Sequence, residues 1–271
     1  MLAIDPSAKI APSAVIGADV EIGPYCVVGP NAAIGDRCKL VAHVHVAGHT
    51  TIGTGTTIYP FASLGAPPQS VHYRGGATRL TVGANCQIRE NVTINIGTED
   101  GGGITTVGDD CFMMVGSHVG HDCHVGSHVM FANNAVIGGH CEIGDYVFLG
   151  GHAAVLQRVR VGESVMVAGY GGLREDVIPF GYVMHPFGRL TGLNLIGMRR
   201  RGIKREAIHA VRAAYTVLFK SEGRFADRIE RVATEFGGVA EVAKIIGFLR
   251  SSAKRPIMMT TPRGSHIDQF E

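Results

Sequence analysis

The stretch SHVGHDCHVGSH, residues 117–128, sets four histidines, a cysteine and an aspartate within twelve positions. Imidazole nitrogens, a thiolate and a carboxylate could together hold a divalent metal. The same residues could supply a general base, because histidine exchanges a proton near neutral pH. An outward histidine without partners does neither and is simply solvated. The choice turns on where each side chain points, which is set by the elements that carry it.

Those elements follow a six-residue beat. Stepping by six from Ile4 gives Ile10, Ile16, Ile22, Val28, Ile34, Leu40, Val46, Ile52 and Ile58. The beat breaks over 64–81, resumes at Val82 and Ile88, breaks over 94–106, and then runs from Val107 to Leu173. The fifth position of each hexad is always small, from Ala8 through Cys26 to Val177. An amphipathic helix repeats every ~3.6 residues and cannot keep this time. Short strands joined by tight turns can, with one large and one small side chain pointing inward per strand. Three hexads close a triangular turn of 18 residues, and successive turns stack as parallel strands ~4.8 Å apart.

All six cysteines (Cys26, Cys38, Cys86, Cys111, Cys123, Cys141) occupy the inward fifth position, so each reads as a small buried hydrophobe. That takes Cys123 out of any ligand set. The nine hexad histidines avoid positions one and five and should face outward. By the 18-residue step, His121, Gly139 and Gln157 form one column, and Asp122, His140 and Arg158 form the next. A base with a glycine N–H one turn above it suits acyl transfer. The base deprotonates an attacking group, and the N–H stabilises a developing oxyanion.

A chain of 271 residues that is 45% apolar can bury a sizeable core. The N-terminus shows no basic segment followed by an apolar run, and no apolar run reaches the ~18 residues of a membrane span. Six cysteines are too sparse for a disulfide framework, so a reducing cytoplasm is expected. Pro179, Pro186 and Gly188 mark a linker. From Asn194 the spacing becomes helical, with Ile203, Ile208, Val211, Ala214, Tyr215 and Leu218 on one face. Further helices are expected at 224–236 and 238–252, with a tail frayed from Ala253. The division expected is a coil over 1–190 and a helical domain over 191–271.

Residues 199–271 carry 15 basic and 8 acidic side chains, densest at Arg199, Arg200 and Arg201. Such a patch suits a phosphate or an acidic partner. It lacks the interleaved aromatics of a nucleic-acid module. The Gly-rich GTEDGGGITT lacks the Gly-Lys-Ser/Thr ending of a phosphate loop, and no G-x-S-x-G or H-E-x-x-H occurs.

From residue 4 to 178 the hexads resemble the hexapeptide-repeat acyltransferases, which implies a left-handed parallel β-helix; general rules alone would favour right-handed crossovers. SHVGHDC, ANNAVIGGH, GLNLIGMRRRG and REAIHAVRAAYTVLF further resemble the UDP-N-acetylglucosamine O-acyltransferases over residues 4 to 252. That resemblance implies a homotrimer without cofactor or metal. It moves a 3-hydroxyacyl chain from acyl carrier protein to a UDP-amino sugar, the first committed step of lipid A synthesis. It casts His121 as general base, Asp122 as its orienting partner and Gly139 N–H as oxyanion donor. Gln69, His118, His140 and Gln157 resemble sugar contacts. Asn194, Arg200 and Arg201 resemble nucleotide contacts, and Gly151 and Gly169 line the acyl channel.

Four positions depart from the family pattern. Leu156 stands in place of a His, Ile196 in place of a Glu, and Ser70 and His72 in place of an Asp and a Lys. A 3-amino acceptor sugar therefore stays open beside the 3-hydroxyl one. The rival on the same coil is a β-helical carbonic anhydrase, which would bind zinc through histidines of neighbouring subunits. A non-catalytic solenoid such as an ice-binding surface would need a regular outward ladder of one residue type, and none runs here.

Overall fold

The computed structural model describes residues 3–184, 188–251 and 253–260. Each hexad yields a short strand ending on its large inward residue, as in Glu21–Ile22, His118–Val119 and Phe148–Leu149. The strands sort into sheets of eleven, nine and eight, here called the first, second and third faces in chain order. On the second face His118 pairs with Val136, Val136 with Ala154 and Ala154 with Gly172, all in parallel. The first and fifth positions fill the interior, so that Val119, Cys123, Ile137 and Cys141 are fully buried. All six cysteines are buried and free. Each turn thus rests its apolar file on the next, which is how a solenoid builds a core from short segments.

Corners fall at the third and fourth positions, and the fourth adopts the left-handed region with ordinary side chains. Tyr25, His43, Asp122, Asn134, His140 and His152 have φ of 57°, 51°, 56°, 60°, 61° and 57°. Asn, Asp and His tolerate this conformation better than most residues, which accounts for how often they stand there. The six-residue beat did not disclose this requirement.

Both insertions leave at one corner, between the second and third faces. The first runs from Ser63–Ala66 to Arg79–Val82, and the second from Thr93–Asn95 to Ile104–Val107. They therefore stack one turn apart, and the corner of the following turn is His121–Asp122. The insertions hold each other. Glu99 Oε1 accepts from the N–H of Gly76 at 2.6 Å and of Arg74 at 3.2 Å, and Thr78 Oγ1 donates to Gly97 O at 2.6 Å.

The region read as a linker is largely sheet. Gly181–Met184 adds a parallel strand to the first face, and Arg189–Leu193 returns antiparallel to it. Pro186 lies outside the described residues. Helices α1 (Leu195–Arg200), α2 (Arg205–Lys220), α3 (Phe225–Phe236) and α4 (Ala240–Arg250) follow. The stripe Ile208, Val211, Ala214, Tyr215 and Leu218 is buried, as its spacing requires. Among the described residues no helix is long and apolar enough to cross a membrane.

Two charged junctions fix the helices to the coil. Arg160 Nε meets buried Asp176 Oδ2 at 2.7 Å, while its Nη1 donates to Ser251 Oγ at 2.5 Å. Its guanidinium also lies 4.5 Å over the Phe248 ring. At the second junction Glu163 accepts from Arg201 at 2.5 Å and from Lys244 at 2.6 Å. The fray expected from Ala253 is not found as far as Thr260. The N–H of Asp176 donates to Pro256 O, and the N–H of Met258 donates to Asp176 O, both at 2.8 Å. Thr260 bridges Leu190 in parallel. Backbone groups at the end of the coil need partners, and this segment supplies them.

Candidate active site

His121 and Asp122 share one corner. The left-handed turn at Asp122 lets the second insertion close over its carboxylate, which is why this fourth-position residue is only 3% exposed. Thr98 donates through its N–H to Oδ1 at 2.9 Å and through Oγ1 to Oδ2 at 2.6 Å. The Asp122 N–H donates to Thr105 Oγ1 at 2.8 Å. Burial opposes ionisation of Asp122, but the bonds from Thr98 and His121 and the nearby His140 outweigh it and hold the carboxyl below its ordinary value. His121 Nδ1 lies 2.8 Å from Oδ2. A carboxylate on Nδ1 keeps the proton there, so Nε2 presents its lone pair outward.

The neighbouring turns complete the corner. His140 sits edge-on to His121, ring centroids 5.0 Å apart, with Nδ1 3.9 Å from Asp122 Oδ2. Burial, then the charge of Arg158, lowers the pKa of His140. Burial likewise lowers that of His118, whose Nδ1 lies 2.7 Å from Thr93 Oγ1. Both are therefore neutral above pH 6.5 and can exchange hydrogen bonds with a sugar without adding charge. A Cβ on Gly139 would lie 2.6 Å from His121 Cε1 and Nε2, so only glycine leaves room for the imidazole. Among the described residues the Gly139 N–H has no acceptor. It remains available as a hydrogen-bond donor beside the His121 ring.

The structure gathers His118, His121, Asp122, Gly139, His140 and Gln157 around this corner, with Gln69 exposed on the insertion at the same corner. It does not bring the other expected residues there within one chain. Gly151 and Gly169 form a column at the corner between the first and second faces. A Cβ at Gly169 would lie 3.3 Å from Gly151 O, so a side chain fits there only if that carbonyl gives by a few tenths of an ångström. Arg201 stands over Tyr146 at the third corner, 3.9 Å from the ring, and also donates to Ser164. Asn194 caps α1, accepting from the N–H of Gly197 and donating to Ser164 O, both at 2.9 Å. These two side chains are already engaged in the fold, whereas Arg200 is exposed. Leu156 and Ile196 point outward at 44% and 62% exposure.

Sequence reasoning missed Thr98 and Thr105, which lie where the beat breaks. It also missed Lys254 and Arg255 on the returning tail. Arg255 Nε donates to Gln157 O at 3.2 Å, and the Lys254 charge helps to lower the His140 pKa. Ligand atoms of His121, Asp122 and His140 lie within 4.8 Å of one another, a spacing a divalent metal could use. Both carboxylate oxygens already accept from Thr98, however, and the 2.8 Å His121 contact has hydrogen-bond length. The donor set fits an Asp–His dyad better than a metal cage.

A triangular coil of hexads with such a dyad on its outside defines a hexapeptide-repeat transferase, and that repeat model matches residues 4–36, 13–48 and 104–139. The second domain of UDP-N-acetylglucosamine O-acyltransferase matches residues 176–258. The acyl-[acyl-carrier-protein]--UDP-N-acetylglucosamine O-acyltransferase of Azorhizobium caulinodans is 55% identical over 80% of either chain. That of Caulobacter vibrioides is 52% identical over 81% of this chain and 83% of its own. The solved UDP-N-acetylglucosamine acyltransferase of Bacteroides fragilis superposes with a TM-score of 0.91 at 35% identity, covering 94% of this chain and 99% of its own. The chain belongs to the UDP-N-acetylglucosamine O-acyltransferase family, and its coil is a left-handed parallel β-helix.

Proposed function

We propose that the protein transfers a 3-hydroxyacyl group from acyl carrier protein to the 3-hydroxyl of UDP-N-acetylglucosamine, opening lipid A biosynthesis in the cytoplasm. The observation that carries the mechanism is the His121–Asp122 dyad, at 2.8 Å, lying against Gly139. His121 Nε2 takes the proton of the sugar hydroxyl as its oxygen attacks the thioester carbonyl. Asp122 stabilises the resulting imidazolium, and the Gly139 N–H faces the tetrahedral oxyanion. Collapse expels the carrier thiolate, which recovers the proton from His121. Attack is direct, so no acyl-enzyme forms and the buried cysteines have no part.

A homotrimer reunites what one chain keeps apart. The dyad, the Gly151–Gly169 column and Arg200 with Arg201 occupy different corners, and a three-fold heterologous contact sets one subunit's corner against another's face. Between the dyad and the glycine column lies the outer second face, where Val136, Ala154 and Gly172 follow one another turn by turn. This apolar strip suits an acyl chain. The basic α1–α2 segment suits the acidic carrier protein and the pyrophosphate.

The test offers both UDP-N-acetylglucosamine and its 3-amino analogue with 3-hydroxyacyl carrier proteins of graded length, and reads products by mass spectrometry. A base-labile ester on the 3-oxygen is expected. A product from the amino sugar alone would move the acceptor assignment to an amide, a possibility raised by Ser70, His72, Leu156 and Ile196. No acyl product from either sugar would overturn the reading.

A further inference from the structure

The proposed mechanism uses the dyad without saying what holds it. Thr98 is buried in the second insertion and gives the Asp122 carboxylate one hydrogen bond to each oxygen, at 2.9 and 2.6 Å. The shorter of these ends on Oδ2, the atom that also receives His121 Nδ1. Two donors from one residue fix both the position and the plane of a carboxylate, as a single donor would not. Charge-assisted bonds of this kind are the strong ones. Thr98 also accepts from the N–H of Gly101 at 3.2 Å and of Gly103 at 3.0 Å. The next residue, Glu99, ties the first insertion to the second through Gly76 and Arg74.

We infer that Thr98 is a positioning residue for the transfer, clamping Asp122 so that His121 is held with its proton on Nδ1 and its lone pair on Nε2. The inference rests on the reading of His121 as general base. His121 and Asp122 remain the reacting dyad, and Thr98 touches neither substrate. Without the hydroxyl, Oδ2 loses a donor, the carboxylate can rotate about its remaining bond to the Thr98 N–H, and His121 is no longer confined to one tautomer. Glu99 extends the same clamp outward, so the loop carrying Gln69 is registered against the catalytic corner through the insertion that holds the dyad.

The experiment compares the parent with Thr98→Val, which keeps shape and loses the hydroxyl, and Thr98→Ser, which keeps the hydroxyl. Thr98→Val should lower kcat roughly ten- to hundredfold with little change in KM, the span of a lost hydrogen bond to a charged group. Thr98→Ser should restore kcat to within about threefold of the parent, well inside that span. Nitrogen-15 spectra of histidine-labelled protein give a readout independent of turnover: one Nδ1-protonated form of His121 in the parent and the serine variant, and a mixture in the valine variant. Parent-like kcat and a single tautomer in Thr98→Val would overturn the inference. So would serine failing to rescue while the thermal unfolding of all three proteins coincides. A His121→Ala protein assayed alongside separates the two readings. If it stays active the base assignment fails, and if it is inactive while Thr98→Val is normal only the clamp fails.

Discussion

At the scale of single residues, the proposed catalytic corner depends on space as much as on charge. His121→Ala should cost two to four orders of magnitude in kcat, as loss of a general base does, while unfolding curves stay close to the parent because the ring lies outside the core. Gly139→Ala should act on the same step by a different route. Its methyl would meet the imidazole at 2.6 Å, so kcat should fall while the tertiary structure persists, and a variant as active as the parent would show that the ring is free to move aside. The titrations make a third expectation. His118 and His140 titrate below 6.5 in the fold, so as pH falls under 6.5 the unfolded chain takes up protons first and stability declines. Asp122, lowered from 3.8, adds a loss of the same sign only as pH falls below 3.8. Thermal unfolding of a His118→Gln, His140→Gln protein should therefore decline less than the parent's just below pH 6.5, and parallel curves would refute the assignment.

At the scale of elements, the beat was legible because a triangular turn leaves no other way to bury one large and one small side chain per strand. Register therefore followed from Ile, Val and Leu at every sixth residue, and the cysteines and outward histidines followed from register. The corners were not legible in the same way, since the left-handed fourth position tolerates His, Asp, Asn, Tyr and Arg alike and so leaves no single signature. It does set a cost. Asn31, exposed at φ 62°, should tolerate glycine, whereas Asn31→Val should lose ~1–3 kcal/mol, because a β-branched side chain is strained in the left-handed region that asparagine tolerates, measurable by denaturant titration. In the residue pattern itself the insertions were legible only as gaps, and Gln69 was assigned by resemblance alone. The contact from Thr98 to Asp122 spans 24 residues without periodicity, and nothing local in GTEDGGGITT points to it.

At the scale of the whole molecule, the sequence resemblance gathered site residues that one chain distributes over separate corners, because a resemblance carries roles without their places in the fold. Asn194 and Arg201, expected as nucleotide contacts, also have partners within the fold: Asn194 caps α1 and Arg201 pairs with Glu163. If acyl length is set along a channel between subunits, Gly169→Met should shift preference toward donors several carbons shorter, with the Gly151 carbonyl, 3.3 Å from the added Cβ, giving by a few tenths of an ångström. Donor competition assays read this, and an unchanged length profile or a fully active monomer in sedimentation would defeat it. The two ends of the coil differ in a way that bears on how it comes apart. The far end is closed by the antiparallel pair Gly181–Met184 and Arg189–Leu193 and by the returning residues Pro256 to Thr260, while the first strands, Ala3–Ile4, Lys9–Ile10 and Val15–Ile16, remain partly exposed. In a stack whose turns are stabilised by their neighbours, opening begins in the turns whose side chains are least buried. Amide exchange should accordingly be fastest in the first turn and slow progressively toward the closed end, so that the polarity of capping becomes a polarity of unfolding.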